Sequence, residues 1–316
     1  MNRICLACYQ PVLNGDSEFH EECSKKLFLQ NEAPVLAYTE KELAGLGLQI
    51  IRSSISVTGV QPKLSLDIEK ERGNQASKRF TIAGLWGQYI LKPPSLHYPQ
   101  LPETEDLTMH LAEIAGIPVV PHSLIRLASG SFAYITRRID RIKGSKIHME
   151  DMCQITGKLT EEKYQGSYEQ VAKAILQYSS FPVLDAIGLC EVLLFSFVTG
   201  NADMHLKNFS IIRTGPKEYR LSPAYDLVST ALVNPADKEE MALTLNGRKN
   251  KITREDFIRF FERLSIEPQQ QERLFSRIEK SAGDWYPFIR KSFLTREYQE
   301  SFITIIRERM RRLNVS

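Results

Sequence analysis

The spacing of apolar side chains along the chain changes once, close to residue 140. Before that point, short runs alternate apolar and polar residues and are rich in β-branched side chains, a pattern that predicts β-strands. After it, apolar residues recur about every 3.6 residues, which predicts helices. The sequence therefore predicts an α+β fold with a β-rich first lobe and a mainly helical second lobe.

Strands and two helices are predicted in the first lobe. We predict a strand, a loop and a strand across Ile50–Asp67, two strands in Arg79–Leu91, and a further strand pair from Gly116 to Arg141. Helical spacing predicts helices at Glu40–Leu48 and Thr104–Ala115.

The second lobe has long stretches with helical spacing of apolar residues. They predict helices at Tyr168–Tyr178, Val183–Val198, Asp256–Leu264, Gln269–Ser281 and Arg296–Leu313. Because Val183–Val198 is apolar on nearly all faces, we predict that it is the central helix of this lobe. Thr253 and Asp256 form a pair like a capping box, which marks the start of the next helix.

Composition narrows the class of protein. The 316 residues are 42% apolar and carry a formal net charge of +3, from 41 basic and 38 acidic side chains, a balance that gives no indication of nucleic-acid binding. The apolar run Ala186–Val198 contains Glu191 and is too short to span a bilayer, and no signal-peptide pattern opens the chain. Five cysteines, an odd number, do not resemble a secreted disulfide framework. We therefore expect a cytoplasmic protein that does not bind membranes.

The run Gly200–Ser210, which follows the predicted central helix, contains Asp203 and, five residues later, Asn208. A second carboxylate, Asp226, comes after a short turn and an alternating segment. Phosphoryl transfer requires one carboxylate beside the acceptor hydroxyl, and a carboxylate and an amide oxygen as ligands of Mg²⁺. A protein-kinase catalytic loop has this order and spacing. We therefore predict that Asp203 is the base and that Asn208 and Asp226 are magnesium ligands. Polar residues also gather in ordinary turns, but the apolar helix before this run and the strand-like segment after it favour a site.

Two charged residues of the first lobe are candidates for nucleotide binding. Lys92 directly follows the predicted strand Gln88–Leu91, the position from which the strand lysine of a kinase meets the α and β phosphates. Glu105 lies at the start of the predicted helix Thr104–Ala115, where it either pairs with Lys92 or complements the helix dipole. The sequence leaves both roles of Glu105 open.

Other charged residues lie near Asp203 and at the end of the chain. His205 and Lys207 either neutralise phosphate charge or orient the loop, and we assign no proton transfer to His205. The basic run Arg307–Arg312 is typical of a solvated helix face. We therefore expect no direct binding of nucleic acid.

Near the N-terminus, Cys5, Cys8, His20 and Cys23 form a Cys-x-x-Cys and His-x-x-Cys pattern. Three thiols and an imidazole at these spacings suit a tetrahedral Zn²⁺ ion, and turn-forming residues between the two pairs would let them meet. A small knuckle with free thiols fits the pattern equally well. A bound metal would have no open coordination position, so we expect a structural role and expect its loss to leave the phosphate chemistry unchanged.

Four motifs, in order along the chain, carry a family resemblance: Gly59–Leu64 (GVQPKL), Glu150–Gln154 (EDMCQ), Gly200–Ser210 (GNADMHLKNFS) and Ser222–Leu227 (SPAYDL). From about residue 50 to near its end, the chain resembles the HipA family of serine/threonine kinase toxins. The resemblance implies a bilobal protein-kinase-like fold that binds ATP and Mg²⁺.

The resemblance also implies that the loop before the second predicted strand lies over the nucleotide phosphates. Val57, Thr58, Gly59 and Lys63 would bind the nucleotide there through backbone amides, a hydroxyl and an ammonium group. The segment has a single glycine, so it is not the glycine-rich loop of ordinary protein kinases.

Two serines in the same loop match the Ser-x-Ser form of the shorter HipT-like family members, namely Ser54 and Ser56. In the family a serine of this loop is autophosphorylated, which withdraws the loop and switches the kinase off. Added negative charge beside the ATP phosphates would repel the nucleotide, which gives this switch a physical basis. Serines in a solvated turn need no function, but the downstream motifs favour the switch.

By the same resemblance, the backbone of Arg137 and Ile139 would bind the adenine edge at the hinge between the lobes. The family commonly has an acidic residue where Arg137 stands, so we assign no side-chain role to this arginine. The domains predicted on this basis are a Cys/His-containing knuckle at residues 1–30, a kinase N-lobe at 31–136 and a kinase C-lobe at 137–316.

The resemblance finally implies a biological role. It implies the toxin of a toxin–antitoxin system that phosphorylates an aminoacyl-tRNA synthetase and so blocks translation. A helix-turn-helix antitoxin is the implied partner. Longer family members carry an extra N-terminal β domain for which this chain starts too late, and we expect a small separate protein to supply it.

Two other functions fit parts of the sequence. A nucleotide-binding pseudokinase would keep the fold and transfer nothing, but Lys92, Asp203, Asn208 and Asp226 are all present. A zinc-containing nucleic-acid-binding regulator would use the Cys/His cluster and the basic C-terminal run, and its binding would weaken with salt.

Overall fold

The computed structural model describes residues 3–12, 17–53, 63–71, 74–83, 87–142 and 145–315. The chain divides into two units, Met1–Asp106 with Val120–Ile139, and Leu107–Val119 with Asp140–Ser316. The domain boundaries drawn from the sequence, after residues 30 and 136, stay predictions.

The first unit is built on an antiparallel five-stranded sheet. Its elements are strands β1 (Arg3–Ile4) and β2 (Pro11–Val12), helices α1 (Glu21–Phe28) and α2 (Glu40–Ser53), strands β3 (Leu64–Glu71), β4 (Asn74–Ile82) and β5 (Tyr89–Lys92), helix α3 (Leu101–Ile114), and strands β6 (His122–Arg126) and β7 (Phe132–Arg137). The strand order in the sheet is β4-β3-β5-β7-β6. Lys92 is the last residue of the central strand β5, as its position after an apolar strand predicts.

Aromatic side chains attach the N-terminal segment to this sheet. Phe28 of α1 packs edge-on against Phe80 of β4, with ring centroids 5.8 Å apart, and lies 6.1 Å from Tyr89 of β5. Phe19 packs on the other side of Phe28 at 5.3 Å, and all four rings are buried. The N-terminal segment is therefore part of the hydrophobic core of the first unit.

The second unit is mainly helical. Its elements are strands β8 (Arg141–Ile142), β9 (Ser145–Lys146) and β10 (Met149–Asp151), helices α4 (Met152–Ile155), α5 (Tyr168–Tyr178) and α6 (Pro182–Val198), strands β11 (Ser210–Gly215) and β12 (Glu218–Leu221), and helices α7 (Thr230–Val233), α8 (Arg254–Arg263), α9 (Pro268–Ile289) and α10 (Arg296–Arg312). Strands β10, β11 and β12 form an antiparallel sheet in that order. Within the described residues, no helix combines the length and the apolarity needed to cross a bilayer.

Helix α6 forms the centre of this unit. Phe195 packs edge-on against Trp285 of α9 at 5.6 Å between ring centroids, and Phe197 meets Phe257 of α8 at 5.6 Å. The Trp285 indole donates a hydrogen bond to the Leu111 carbonyl at 2.9 Å, which satisfies its polar atom in the core. The predicted central helix is confirmed, and α6 leads directly into the loop that contains Asp203.

Most element predictions are confirmed, including the α+β class, the helices at α5 and α6 and the capping box that starts α8. Helix α9 runs past its predicted end at Ser281 to Ile289, because Ala282, Trp285 and Ile289 continue its buried stripe.

The strand predicted to begin at Ile50 is wrong, because the backbone stays helical to Ser53, at the end of α2. A capping box starts this helix, with Thr39 N donating to Glu42 Oε2 at 2.7 Å and Glu42 N donating to Thr39 Oγ1 at 3.4 Å. Leu43 and Leu46 are at helical spacing with Ile50, so the periodicity of the preceding turns outweighs the β-branched run.

Candidate active site

The loop between α6 and β11 begins at a position that requires glycine. Gly200 has φ +69°, and an added Cβ would lie 2.8 Å from the Ala231 Cβ. Its carbonyl accepts a hydrogen bond from Ala231 N at 3.0 Å, and Ala202 N donates to Thr230 Oγ1 at 2.8 Å. The start of the loop is therefore held against α7.

Asp203 presents a partly exposed carboxylate on this loop. Its side chain is 39% exposed, and its backbone N–H donates to the side-chain oxygen of the buried Asn201 at 3.1 Å. Tyr164, from the loop before α5, donates its hydroxyl hydrogen to Asp203 Oδ1 at 2.6 Å. The carboxylate is thus accessible and oriented, as a proton acceptor for a substrate hydroxyl must be.

The side chain of Asn208 is oriented by Asp203, the other residue of the Asp-x-x-x-x-Asn motif. Its side-chain nitrogen donates to the Asp203 carbonyl at 2.8 Å, and Asn208 is buried. This bond uses the donor end of the amide and leaves its oxygen, the atom type that Mg²⁺ prefers as a ligand, outside this contact. The spacing of five residues therefore lets the Asn208 side chain close the loop on the backbone of Asp203.

Asp226 has φ +58°, a left-handed conformation that costs free energy in a residue other than glycine. The preceding Tyr225 ties this segment to the loop, because its hydroxyl lies 2.5 Å from Ser210 Oγ and donates to the Lys207 carbonyl at 2.9 Å. Burial lowers the pKa of His205, and the carboxylate of Asp226 is close enough to this histidine to oppose part of that lowering. Asp203, Asn208 and Asp226 therefore belong to one region of the second unit.

His205 is buried and neutral at pH 7. Burial lowers the pKa of His205 to about 4, with a further lowering by Lys163, although the carboxylates of Asp203 and Asp226 act in the opposite direction. Its Nε2 lies 4.0 Å from Asp203 Oδ1. A neutral imidazole does not neutralise phosphate charge, so the structure favours the orienting role for His205.

This histidine predicts a pH dependence of stability. Between pH 6.5 and 4 the unfolded chain binds a proton at this position that the folded chain does not, so the free energy of unfolding falls as the pH is lowered through that window. As the pH is lowered from 6.5 to 4, the free energy of unfolding of the wild-type protein should fall by up to about 3 kcal/mol more than that of His205→Gln. Urea unfolding at several pH values measures the difference, with the exposed His148→Gln as control. Parallel curves for wild type and His205→Gln would contradict the assignment.

Tyr164 is a site residue that the sequence did not reveal, since it lies in a polar loop without a motif. Its ring packs edge-on against His205, with centroids 5.0 Å apart, while its hydroxyl occupies Asp203 Oδ1. For Asp203 to act as the predicted base, a substrate hydroxyl would have to donate to the same carboxylate, where it would compete with Tyr164 for Oδ1.

We therefore expect Tyr164→Phe to raise the rate of phosphate incorporation about fivefold, the equivalent of one hydrogen bond released from competition. The exposed Tyr178→Phe is the matched control, and initial rates with radiolabelled ATP provide the measurement. A slower Tyr164→Phe protein would show instead that the hydroxyl holds Asp203 in its active orientation.

Lys207 is paired within the second unit. Its ammonium group lies 2.7 Å from Asp151 Oδ2, and Asp151 Oδ1 accepts the backbone N–H of Gln154 as the cap of α4. The motif at Glu150–Gln154 therefore contacts the catalytic loop through this ion pair. This arrangement favours a loop-orienting role for Lys207.

In the first unit, Lys92 and Glu105 form a buried ion pair. The two residues are 4% and 1% exposed, and the ammonium group also lies 5.3 Å from the centre of the Tyr134 ring. Helix α3 begins at Leu101, so Glu105 lies beyond the first turn, where the helix dipole is weaker. Of the two roles left open for Glu105, the structure shows pairing with Lys92.

Of the remaining candidates in the predicted phosphate-binding loop, the structure describes only Lys63. Ser54, Ser56, Val57, Thr58 and Gly59 lie outside the described residues. Their roles stay predictions. Lys63 is described as an exposed residue that directly precedes β3.

At the predicted hinge, two backbone donors are already used within the first unit. The N–H of Arg137 donates to the Pro121 carbonyl at 2.9 Å, and that of Arg138 donates to the Gln88 carbonyl at 2.8 Å. An adenine edge bound here would therefore rely on other backbone groups, including those of Ile139.

The Cys/His cluster comes together as a compact set of donors. The ligand atoms of Cys5, Cys8, His20 and Cys23 all lie within 4.8 Å of one another, and His20 Nδ1 is 3.3 Å from Cys8 Sγ and 3.8 Å from Cys23 Sγ. Tetrahedral Zn²⁺ places such donors about 3.5–3.8 Å apart. His20 Nε2 lies 3.0 Å from the Pro11 carbonyl, and a proton donated there leaves Nδ1, which faces the sulfurs, with a lone pair that can bind a metal. A hydrogen bond with Cys23 lowers the pKa of Cys5, while the same contact raises the pKa of Cys23 and burial raises that of Cys8, so without a metal one thiolate is favoured in the cluster.

The β-rich unit with its buried lysine–glutamate pair and the helical unit with its Asp-Asn-Asp set define a protein of the kinase-like class. The fold agrees with two solved structures. HipA in a Shewanella oneidensis complex of HipA, HipB and operator DNA has a TM-score of 0.67 and 22% identity, covering 90% of this chain and 75% of that one. The Helicobacter pylori proinflammatory kinase CtkA has a TM-score of 0.52 and 16% identity, covering 71% of this chain and 87% of that one.

The chain belongs to the HipA-like C-terminal domain family, whose model matches residues 55–285. A Haemophilus influenzae protein named "Putative kinase" is 28% identical over 310 residues, which cover 89% of this chain and 88% of that protein. The Shewanella oneidensis serine/threonine-protein kinase toxin HipA is 30% identical over 205 residues, which cover 58% of this chain and 45% of the toxin. The chain thus spans most of the first relative and less than half of the second. The family predicted from the four motifs is confirmed.

Proposed function

We propose that this protein is an ATP- and Mg²⁺-dependent serine/threonine protein kinase of the HipA type. The observation that carries the proposal is the catalytic loop, in which Asp203 presents an accessible carboxylate while Asn208 bonds to the Asp203 carbonyl through its nitrogen. The kinase-like fold and the family membership support it.

Each residue of the loop has a role in this proposal. Asp203 accepts the proton of the acceptor hydroxyl as the phosphoryl group is transferred. Asn208 and Asp226 would hold Mg²⁺, which when bound neutralises charge on the phosphates. His205 and Lys207 keep the loop in place through burial and the ion pair with Asp151.

The first unit would bind the nucleotide. Lys92, held by Glu105, contacts the α and β phosphates. Lys63 and the backbone of Val57–Gly59 cover the phosphates, and backbone groups near Arg137 and Ile139 bind the adenine. Phosphorylation of Ser54 or Ser56 would repel the nucleotide and switch the kinase off.

The biological role proposed is that of a cytoplasmic toxin that phosphorylates an aminoacyl-tRNA synthetase. Family membership supports it, as does the relative named as a serine/threonine-protein kinase toxin. The solved complex of HipA with HipB and operator DNA supports a helix-turn-helix antitoxin as partner.

We also propose that Cys5, Cys8, His20 and Cys23 hold one Zn²⁺ ion. The donor types, their separations and the orientation of the His20 ring support this role. All four tetrahedral positions would be filled by the protein, so this metal is structural.

Mass spectrometry of the full chain, dephosphorylated and then incubated with ATP, tests the kinase proposal. We expect phosphate on serine, at Ser54 or Ser56, in the presence of Mg²⁺ and none with EDTA. Bacterial extract with radiolabelled ATP serves as a second source of acceptors. If the protein binds MgATP but labels neither itself nor any extract protein, it is a pseudokinase and the proposal is wrong.

A further inference from the structure

We infer that the N-terminal metal knuckle, residues 3–12 and 17–28, positions Glu105 and through it Lys92, so that metal binding sets the affinity of the protein for the phosphates of ATP. This inference rests on the proposed kinase function. It makes Tyr9 and Asp106 positioning residues, and it opposes the sequence-based expectation that metal loss leaves the phosphate chemistry unchanged.

The link begins at Tyr9, the residue after the ligand Cys8. Tyr9 has φ +59°, and its N–H donates to the Cys5 carbonyl at 3.0 Å, so the turn between the two cysteines determines where its side chain lies. The tyrosine hydroxyl donates to Asp106 Oδ2 at 2.8 Å. Tyr9 and Asp106 are 3% and 0% exposed, which makes this a buried contact between the metal-binding turn and helix α3.

Asp106 is held from a second side. Its other oxygen, Oδ1, lies 2.7 Å from Nδ1 of the buried His122 on β6. A fully buried carboxylate is strongly destabilising without hydrogen-bonding partners, so the positions of Tyr9 and His122 constrain where Asp106 can lie. Asp106 is thereby fixed between the knuckle and the sheet.

Glu105 precedes Asp106 on the same helix. Successive residues of a helix are about 100° apart around its axis, so anchoring Asp106 sets the rotation of this turn and the direction of Glu105. Glu105 in turn pairs with Lys92 in a buried site, where the strength of an ion pair depends steeply on distance. The contacts therefore run from the cysteine turn through Tyr9 and Asp106 to the lysine that would bind phosphate.

The metal matters to this link because two of its ligands, Cys5 and Cys8, lie in the turn that leads to Tyr9. Strands β1 and β2 are two residues long each, and structural zinc supplies folding energy to such small elements. Helix α1 has its own anchor, since Phe28 packs on Phe80 of the sheet. Loss of the metal should therefore disturb the turn at Cys5–Tyr9 while the sheet stays folded.

The decisive variant is Tyr9→Phe in the full-length protein, because it removes the hydroxyl and keeps all four metal ligands. We expect one Zn²⁺ per chain, as in wild type, but a dissociation constant for MgATP about fivefold higher, the effect of one buried hydrogen bond. The affinity for adenosine should stay within about twofold, because adenosine lacks the phosphates that Lys92 would contact. A general loss of structure would weaken both ligands alike. Tyr286→Phe, which removes a tyrosine hydroxyl that contacts Met310 Sδ in the second unit, is the matched control.

Metal removal provides the second arm. Zinc is withdrawn with a chelator and restored, and Co²⁺ replaces it to give the absorption bands of a tetrahedral thiolate site. MgATP affinity should fall on removal, return on addition of metal, and be low in Cys8→Ser but normal in Cys190→Ala, a cysteine outside the cluster. Calorimetry gives the affinities, and elemental analysis gives the metal content.

Two results would overturn the inference and leave the proposed kinase standing: a zinc-free wild-type protein that binds MgATP as tightly as the zinc-loaded protein, or a Tyr9→Phe protein with unchanged MgATP affinity. Failure of the proposed function gives different results. A protein that binds MgATP but transfers no phosphate still allows the effect of zinc on affinity to be measured, whereas a zinc-loaded wild type that binds neither MgATP nor adenosine overturns the inference as well. If Cys8→Ser does not fold, Tyr9→Phe still decides the question, since its metal site is intact.

Discussion

Replacing Asp203 by Asn is expected to lower the rate of phosphoryl transfer about 10³-fold, within the range typical of removing a positioned general base. Asparagine matches aspartate in size and can still accept the Tyr164 hydroxyl hydrogen, so the loop should keep its shape. What disappears is the negatively charged oxygen that accepts the substrate proton. Because Asn208 and Asp226 remain, MgATP affinity should stay within about threefold of wild type.

The measurement is the rate of phosphate incorporation beside the dissociation constant for MgATP. Asp237→Asn, a change of the same kind at an exposed residue, is the control and should leave both quantities unchanged. A transfer rate above about one tenth of wild type in Asp203→Asn would place the general base elsewhere, since base catalysis is typically worth at least 10²-fold.

Replacing Glu105 by Ala is expected to destabilise the protein by about 3–5 kcal/mol, because it removes the carboxylate that pairs with the buried ammonium group of Lys92. The same change should weaken MgATP binding, since Lys92 is no longer held in position for the phosphates. Denaturant unfolding and calorimetry measure the two effects.

Two controls separate the effect of burial from the effect of charge. Glu300→Ala breaks the exposed pair with Arg290, whose side chains are 57% and 55% exposed, and should cost less than about 1 kcal/mol. The double change Lys92→Met with Glu105→Leu replaces the buried pair by apolar side chains and should restore most of the stability without restoring phosphate binding. If Glu105→Ala is no less stable than Glu300→Ala, the ion pair does not have the buried character that the structure shows.

Helices and strands whose residues follow a single hydrophobic periodicity were predictable from the sequence. Segments in which helical spacing and a β-branched run overlap were not. Helix α6 is apolar on nearly all faces, and an apolar run of this length is typical of a buried helix and too long for a single strand. The error at Ile50 arose where a β-branched run follows a helix with a strong cap, and the established helical hydrogen bonds continued through it. A short β-branched run by itself does not show whether it forms a strand or continues a helix, and the turns before it decide between the two.

The residues of the candidate site also fall into two groups, those predictable from local motifs and those that depend on contacts between distant parts of the chain. Asp203 and Asn208 were predictable because their contact closes within one loop of five residues, and a motif of fixed spacing records such local geometry. The Cys/His set was predictable because both of its pairs are local motifs, although the sequence could not show that the two pairs meet. Glu105 was ambiguous because the choice between a helix dipole and a lysine partner depends on where the chain brings strand β5.

From the sequence alone, the α+β class, the order of most helices and strands, the family and the chemical types gathered at the site could be determined. The class and the order of elements depend on periodicity and spacing along the chain, whereas the family was identified from the resemblance carried by four motifs. The tertiary structure alone decided that Tyr164 occupies the Asp203 carboxylate from 39 positions away and that Tyr9 reaches Asp106 across 97 positions. The physical reason is that a local pattern specifies the hydrogen bonds of its own element, whereas contacts between distant residues form only when the packed core brings their elements together.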